Sequence, residues 1–127
     1  MRVVGIGTDI TEISRIEGML EKHGDFFARK VFTEGEIRYC AGRNRGERFA
    51  ARWAVKEAVL KALGTGWVEG IAWTDIEVAR DASGKPSVVL SGGAKQRANE
   101  LGISECLVSI SHCKTYAVAF VTAVGND

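Results

Sequence analysis

The sequence predicts an α+β fold, a mainly antiparallel sheet packed on one long central helix, and three observations carry that prediction. Apolar runs rich in β-branched residues stand at both ends of the chain, over Arg2–Ile10 and Tyr116–Val124. Between them, Glu47 to Leu63 holds an unbroken helical pattern that stops at Gly64. A Gly84-Lys85-Pro86 turn then separates two short strand patterns. The 127 residues suit one domain over 1–127, and 46% hydrophobic with 26% charged residues is enough apolar side chain to build a core.

The first strand, Arg2 to Ile10, is broken by Gly5 and Gly7, and Asp9 is expected at its C-terminal end. From Thr11 the period becomes helical: Ile13, Ile16 and Leu20 share one face, and Arg15, Met19 and Lys22 share the opposite one. That helix is expected to end near Gly24, with a short segment over 26–31 after it. Thr33-Glu34-Gly35-Glu36 reads as a capping box opening a short helix to Cys40. A basic loop, Gly42 to Gly46, leads into the long helix. Strands over Trp73–Arg80 and Ser87–Leu90 should pair as a hairpin. Ser91 is placed to cap a helix to about Leu101, and strands Cys106–His112 and Tyr116–Val124 close the chain. The resulting order is β-ααα-ββ-α-ββ.

Composition narrows the function classes. Seventeen Lys and Arg against 16 Asp and Glu leave a net charge of +1, without the overall field of a nonspecific nucleic-acid binder. No apolar run reaches the roughly 20 residues of a membrane span, and the N-terminus lacks a signal-peptide pattern, so a cytoplasmic protein is expected. Cys40, Cys106 and Cys113 are odd in number and lack metal spacing, which reads as reduced thiols.

The long helix is apolar on two sides. Ala51, Ala54, Val55, Ala58 and Ala62 form a small-residue arc, Phe49, Trp53 and Leu60 a bulky one, and Glu57 and Lys61 fall between. Glu57 and Lys61 make either an ordinary i, i+4 pair or part of a site. Asp9 either caps the helix that follows or serves as a ligand. Gly5 and Gly7 would let a ligand approach the strand closely, and Asp9 with Glu57 would then form the hard oxygen site that Mg²⁺ takes when substrate phosphates complete its shell. Between Arg43 and Lys61, six basic residues (Arg43, Arg45, Arg48, Arg52, Lys56, Lys61) face two acids (Glu47, Glu57), a local surplus of +4 suited to phosphate. Arg48, Arg52 and Lys56 share a helix face, read either as part of that field or as a solvated stripe. His112 stands at a strand end, as a turn residue or a base.

Gly5-Ile6-Gly7-Thr8-Asp9-Ile10, the block from Phe49 through Trp53-Ala-Val-Lys56-Glu57 and Lys61 to Gly64-Thr65-Gly66, Gly84-Lys85-Pro86 and Val108-Ser-Ile-Ser-His112 occur in an order that resembles the small type of 4′-phosphopantetheinyl transferase, the holo-[acyl-carrier-protein] synthase family. The resemblance implies that fold and the transfer of 4′-phosphopantetheine from coenzyme A to a serine hydroxyl of apo acyl carrier protein, with release of adenosine 3′,5′-bisphosphate. It further implies Mg²⁺ on Asp9 and Glu57, Lys61 on the coenzyme A phosphates, Arg52 on the 3′-phosphate, and Lys85 and Pro86 near the nucleotide. Gly64, His112 and Arg45 join the coenzyme A residues on the same ground, with Arg43 and Arg48 as alternatives to Arg45. The base is either Glu57 or a metal-bound water, water being favoured because Glu57 is committed to the metal. A homotrimer with sites at subunit boundaries is implied too, and Ala117–Val121, apolar on both strand faces, is compatible with it. Arg15, Met19 and Lys22, a positive stripe with an apolar middle, suit an acidic carrier protein. The rival readings are a noncatalytic coenzyme A- or nucleotide-binding module and a protein whose apolar faces serve only assembly.

Overall fold

The computed structural model describes residues 1–66 and 68–127. In chain order the elements are β1 (Arg2–Glu12), α1 (Ile13–Val31), α2 (Glu34–Cys40), α3 (Arg45–Ala62), a 3₁₀ turn (Trp73–Asp75), β2 (Ile76–Arg80), β3 (Pro86–Leu90), α4 (Gly92–Leu101), β4 (Ile103–His112) and β5 (Tyr116–Gly125). The α+β class and the element order are those the sequence predicts. The antiparallel strands form a three-stranded sheet in the order β1-β5-β4 and a separate β2-β3 hairpin. No helix among the described residues is long and apolar enough to cross a membrane.

Several boundaries differ for identifiable reasons. β1 continues past Ile10 because Thr11 and Glu12 pair with Ala117 and Tyr116 of β5. Asp9 is therefore an interior strand residue opposite Ala119, and Glu12 takes the N-cap position of α1. Gly24 kinks α1 instead of ending it, at φ 50 and ψ −131. The helix resumes because Phe27, Ala28 and Val31 bury on the core side. The Thr33/Glu36 capping box is formed. α3 opens two residues earlier than expected, so Arg45 lies on the helix and not in the loop. Ser91 occupies the N-cap position of α4 without a side-chain cap bond, while Asp75 Oδ2 accepts from Ala94 N at 3.4 Å.

Alternation along the sheet creates two faces. Ala117, Ala119, Val121 and Ala123 of β5 point inward and are fully buried against α3. The outer face carries Ile6 and Ile10 from β1, Phe120 from β5 and Leu107 from β4, all substantially exposed in the single chain. Gly5 and Gly7 lie on the inner face under α3. A Cβ on Gly7 would sit 1.9 Å from the Ala58 carbonyl oxygen, and one on Gly5 would sit 2.2 Å from that of Ala62. The glycines thus admit the helix backbone, not a ligand as the sequence reading supposed. That contact sets β1 directly beneath the C-terminal half of α3.

Candidate active site

From Phe49 to Leu63 every residue of α3 is buried except Trp53, Glu57 and Lys61. These are spaced i, i+4, i+8 and form the single open stripe on that stretch. Sheet, α1 and α2 claim the remaining directions. Because the glycines let β1 run so close, Asp9 comes to the edge of this stripe.

Lys61 Nζ donates to the Thr8 carbonyl at 2.8 Å and stands 3.4 Å from Asp9 Oδ1. Its side chain is 52% exposed, while that of Asp9 is 14% exposed. Thr11 Oγ1 donates to Asp9 Oδ2 at 2.6 Å, which fixes the carboxylate's orientation. Burial, and next the Asp9 charge, push the Glu57 carboxyl above its ordinary value, with partial relief from Lys61 and Arg15. The Arg15 guanidinium lies 5.7 Å from the Trp53 ring centroid, over the same stripe. Gly64 ends the helix in the left-handed region (φ 76), its N–H on the Lys61 carbonyl at 3.0 Å. Beside Lys61 a cavity of about 260 Å³ is lined by Ile6, Gly7, Thr8, Lys61 and Phe120, so the lysine reaches round the edge of β1 to the outer sheet face.

Two carboxylates lie close enough here for the Asp9 charge to add to burial in raising the proton affinity of Glu57, with Lys61 and Arg15 opposing both. Hard oxygen donors with residual negative charge fit a divalent cation such as Mg²⁺. Among the described residues no group of three potential His, Cys, Asp or Glu ligands occurs, so ligand oxygens would have to fill the remaining positions.

The other expected residues lie elsewhere on the chain. Arg52 is five residues before Glu57, which turns it about 140° around the helix. Arg52 is 2% exposed, and its guanidinium lies 4.3 Å from the Tyr39 ring centroid and donates to the Arg48 carbonyl at 3.2 Å. Lys56 is no part of a phosphate field or of a solvated stripe: it is fully buried, with Nζ 2.9 Å from Glu36 Oε1. Arg45 is exposed and lies over the Phe49 ring at 5.2 Å. Lys85 and Pro86, with Leu107 and Val108, help line a cavity of about 310 Å³ between the hairpin turn and β4. His112 Nδ1 stands 3.4 Å from Glu47 Oε2, at the N-terminal end of α3. A cavity of about 590 Å³ between the end of α1 and α2 is lined by none of the candidate site residues.

On α1, Ile13, Ile16 and Leu20 are buried as expected, and Arg15 and Lys22 are exposed. Met19 is half-buried against the core rather than open between two cations, since it sits on the border of the helix's apolar arc. Phe26, 75% exposed, lies four residues beyond Lys22 and was not singled out by the sequence pattern, which ended the helix before it. Tyr39 and Arg80, which meet Arg48 and Arg52, were also missed. They come from elements far apart in sequence, and no local spacing announces the cluster.

The chain resembles known proteins over nearly all its length. A protein from Gloeobacter violaceus named holo-[acyl-carrier-protein] synthase is 51% identical over 122 residues, covering 94% of this chain and 92% of that one. The crystal structure of holo-[acyl-carrier-protein] synthase from Neisseria meningitidis superposes with a TM-score of 0.89 at 33% identity, covering 97% and 99% of the two chains. The Bacillus anthracis holo-(acyl-carrier-protein) synthase, solved in complex with CoA (3′,5′-ADP), superposes with a TM-score of 0.80 at 38% identity over 98% of each chain. The family model of the 4′-phosphopantetheinyl transferase superfamily matches residues 5–121, and the chain belongs to that superfamily.

Proposed function

We propose that this protein transfers 4′-phosphopantetheine from coenzyme A to a serine hydroxyl of an apo acyl carrier protein. The observation that carries this reading is the open Trp53–Glu57–Lys61 stripe set against Asp9, a two-carboxylate, one-lysine grouping in a chain of this family. Asp9 and Glu57 would hold Mg²⁺, which would neutralise non-bridging phosphate oxygens and polarise the scissile pyrophosphate. Lys61, half-exposed and loosely held by Asp9, swings its ammonium onto the same phosphates as charge builds on them. Thr11 keeps Asp9 aimed at the site. The serine oxygen forms a bond to the phosphorus bearing the pantetheine arm while the bond to the adenosine 5′-phosphate oxygen breaks. Adenosine 3′,5′-bisphosphate leaves with that oxygen, and a water takes the serine proton.

Two half-sites on one chain support assembly of a homotrimer. Asp9 and Lys61 stand at the β1 edge of the sheet, whereas Lys85, Pro86 and the cavity they line stand beside β4, the opposite edge. Different edges that meet head to tail close into a ring when the rotation between copies closes, and such a ring would cover the exposed outer-face residues Ile6, Ile10, Phe120 and Leu107. The carrier protein docks on the exposed side of α1, where Arg15 and Lys22 supply charge and Phe26 an apolar anchor. Cys40, Cys106 and Cys113 are free thiols, consistent with a cytoplasmic setting.

The test is incubation with coenzyme A, Mg²⁺ and apo acyl carrier protein, followed by intact-mass measurement of the carrier. A gain of one phosphopantetheine on its serine is expected. Binding of coenzyme A without that gain would reduce the protein to a binding module, and a monomeric mass in solution would remove the trimer.

A further inference from the structure

Trp53 is the aromatic member of the open stripe on α3, and its half-buried indole meets side chains from two other elements. The Trp73 ring, from the 3₁₀ turn, stacks on it with 4.9 Å between centroids and 24° between planes. Phe27, beyond the kink of α1, meets it at 6.0 Å and 36°. Arg15, before the kink, sets its guanidinium over the same ring, 5.7 Å from the centroid. The inner side of this assembly is fixed. Phe27 is buried, and Trp73 packs against both apolar clusters of the core. The Trp73 carbonyl accepts from the enclosed Lys56 ammonium at 3.1 Å, and the Asp75 carboxylate ties down its turn by accepting from the Ala72 N–H at 3.1 Å. Arg15 is the open end: it is exposed, and among the described residues it forms no ion pair. A half-open indole keeps some freedom about its two side-chain torsions, and a parallel ring against its face removes it.

We propose that Trp73 is a positioning residue for the carrier-protein substrate: its ring locks Trp53, and Trp53 in turn holds Arg15 where the exposed side of α1 meets the Trp53–Glu57–Lys61 stripe. This rests on the proposed transfer reaction and on docking of the carrier at α1. A long cation that is free in solvent must be ordered when a partner binds, and each side chain so immobilised costs affinity. One that already rests on a locked aromatic face has given up that freedom beforehand, so an acidic partner meets a charge in place. Trp73 needs no contact with the carrier to do this. Its backbone is held by Lys56, from the buried side of α3, and its ring is held against Trp53, from the open side. The docking charge is therefore set by the rigid part of α3, not by α1 alone.

The experiment measures KM for apo carrier protein and for coenzyme A in the unaltered protein, Trp73→Leu, Trp73→Phe, Arg15→Ala and the variant that combines Trp73→Leu with Arg15→Ala. Trp73→Leu removes the flat face and is expected to raise KM for carrier protein roughly three- to tenfold, with KM for coenzyme A within about twofold and kcat falling less than about threefold. Trp73→Phe keeps a ring and should stay within about twofold on both substrates. In the Arg15→Ala background Trp73→Leu should add less than about twofold, because its effect passes through Arg15. Trp73→Met refills the space without a flat face and takes the place of Trp73→Leu if that protein does not fold; loss of the fold with both would overturn the proposal. Equal losses on the two substrates, losses that multiply in the double variant, a Phe variant as poor as Leu, or unchanged kinetics would each overturn it too. Calorimetry with a carrier protein whose acceptor serine is replaced by alanine reads the affinity without turnover. Weaker binding by Trp73→Leu, in a protein that transfers nothing, would overturn the reaction and keep the positioning role. Normal transfer with equal binding by both forms would overturn the positioning role and keep the reaction.

Discussion

Lys56 and Lys61 stand five residues apart on α3, and each meets a carboxylate from another element. Lys56 is enclosed: its ammonium binds Glu36 Oε1 at 2.9 Å and donates to the carbonyls of Trp73 and Ile76. Glu36 in turn accepts from the backbone N–H of Thr33 and Val78, each at 2.8 Å. Both side chains are completely buried, and the network joins α2, α3 and the start of β2. Lys61 is half in solvent, 3.4 Å from Asp9 and one turn beyond Glu57, whose carboxyl is pushed up by burial and next by the Asp9 charge. A satisfied buried pair specifies how elements pack, whereas a loose one at an edge keeps charge available for a ligand. The same sequence block, Lys56-Glu57-Ala58-Val59-Leu60-Lys61, contains both.

The largest effect expected from breaking this contrast is on stability. Lys56→Met or Glu36→Gln leaves a buried partner uncompensated and should cost about 3–5 kcal/mol in denaturant unfolding. Replacing both by apolar residues should not restore the loss, because the Thr33 and Val78 N–H groups would remain orphaned. A single variant within about 1 kcal/mol of the unaltered protein would remove the distinction between the two lysines.

At the open pair the effect moves to activity. Asp9→Asn or Glu57→Gln should lower kcat by roughly 10²–10³ while the protein stays folded. Glu57→Gln should also raise Tm in the presence of a chelator at neutral pH. The sign follows from proton linkage: the folded Glu57 carboxyl binds its proton more tightly than the ordinary 4.5, so stability falls as pH rises through that interval. The Tm gain should be present above the folded value and vanish below about pH 4.5, where the carboxyl is protonated in both states. A lower Tm for Glu57→Gln at neutral pH would mean that Glu57 is held by a structural pair like that of Lys56.

Gly7→Ala tests what joins the open pair to the fold. Its Cβ would meet the Ala58 carbonyl oxygen, so β1 must move away from α3 and carry Asp9 with it. A loss of about 1–3 kcal/mol is expected, along with a higher Mg²⁺ concentration for half-maximal turnover. Normal activity and stability would show that the close approach is not what positions Asp9.

How far these features were legible in the sequence depends on whether their causes are local. The two apolar arcs of α3 lie within one helix period, and they correctly left Glu57 and Lys61 in the gap. The Thr33/Glu36 capping box is a four-residue signal and is formed. The second job of Glu36, holding Lys56 and Val78, depends on packing between α2, α3 and β2, so Lys56 read as one member of a basic stripe. Asp9 read as the end of a strand because the register that extends β1 comes from β5, more than 100 residues on. Gly5 and Gly7 signalled close approach correctly. Composition alone does not say that the approaching group is a helix.

The smallest expected effect separates the two cations of the α1 stripe. Arg15 lies over Trp53, and its charge lowers the proton affinity of Glu57, so it borders the Trp53–Glu57–Lys61 stripe. Lys22 is roughly two turns further on, toward Phe26. Lys22→Glu should raise KM for carrier protein roughly three- to tenfold and leave KM for coenzyme A nearly unchanged, because it opposes an acidic partner without touching the phosphate site. The penalty should shrink as added salt screens the repulsion. Arg15→Glu should show the same change in carrier KM together with a lower kcat, since a new carboxylate beside Glu57 raises the charge the site must compensate. If both variants altered carrier KM alone, Arg15 would belong wholly to the docking face. If Lys22→Glu also lowered kcat, the boundary between docking and chemistry on α1 would have to be drawn closer to Gly24.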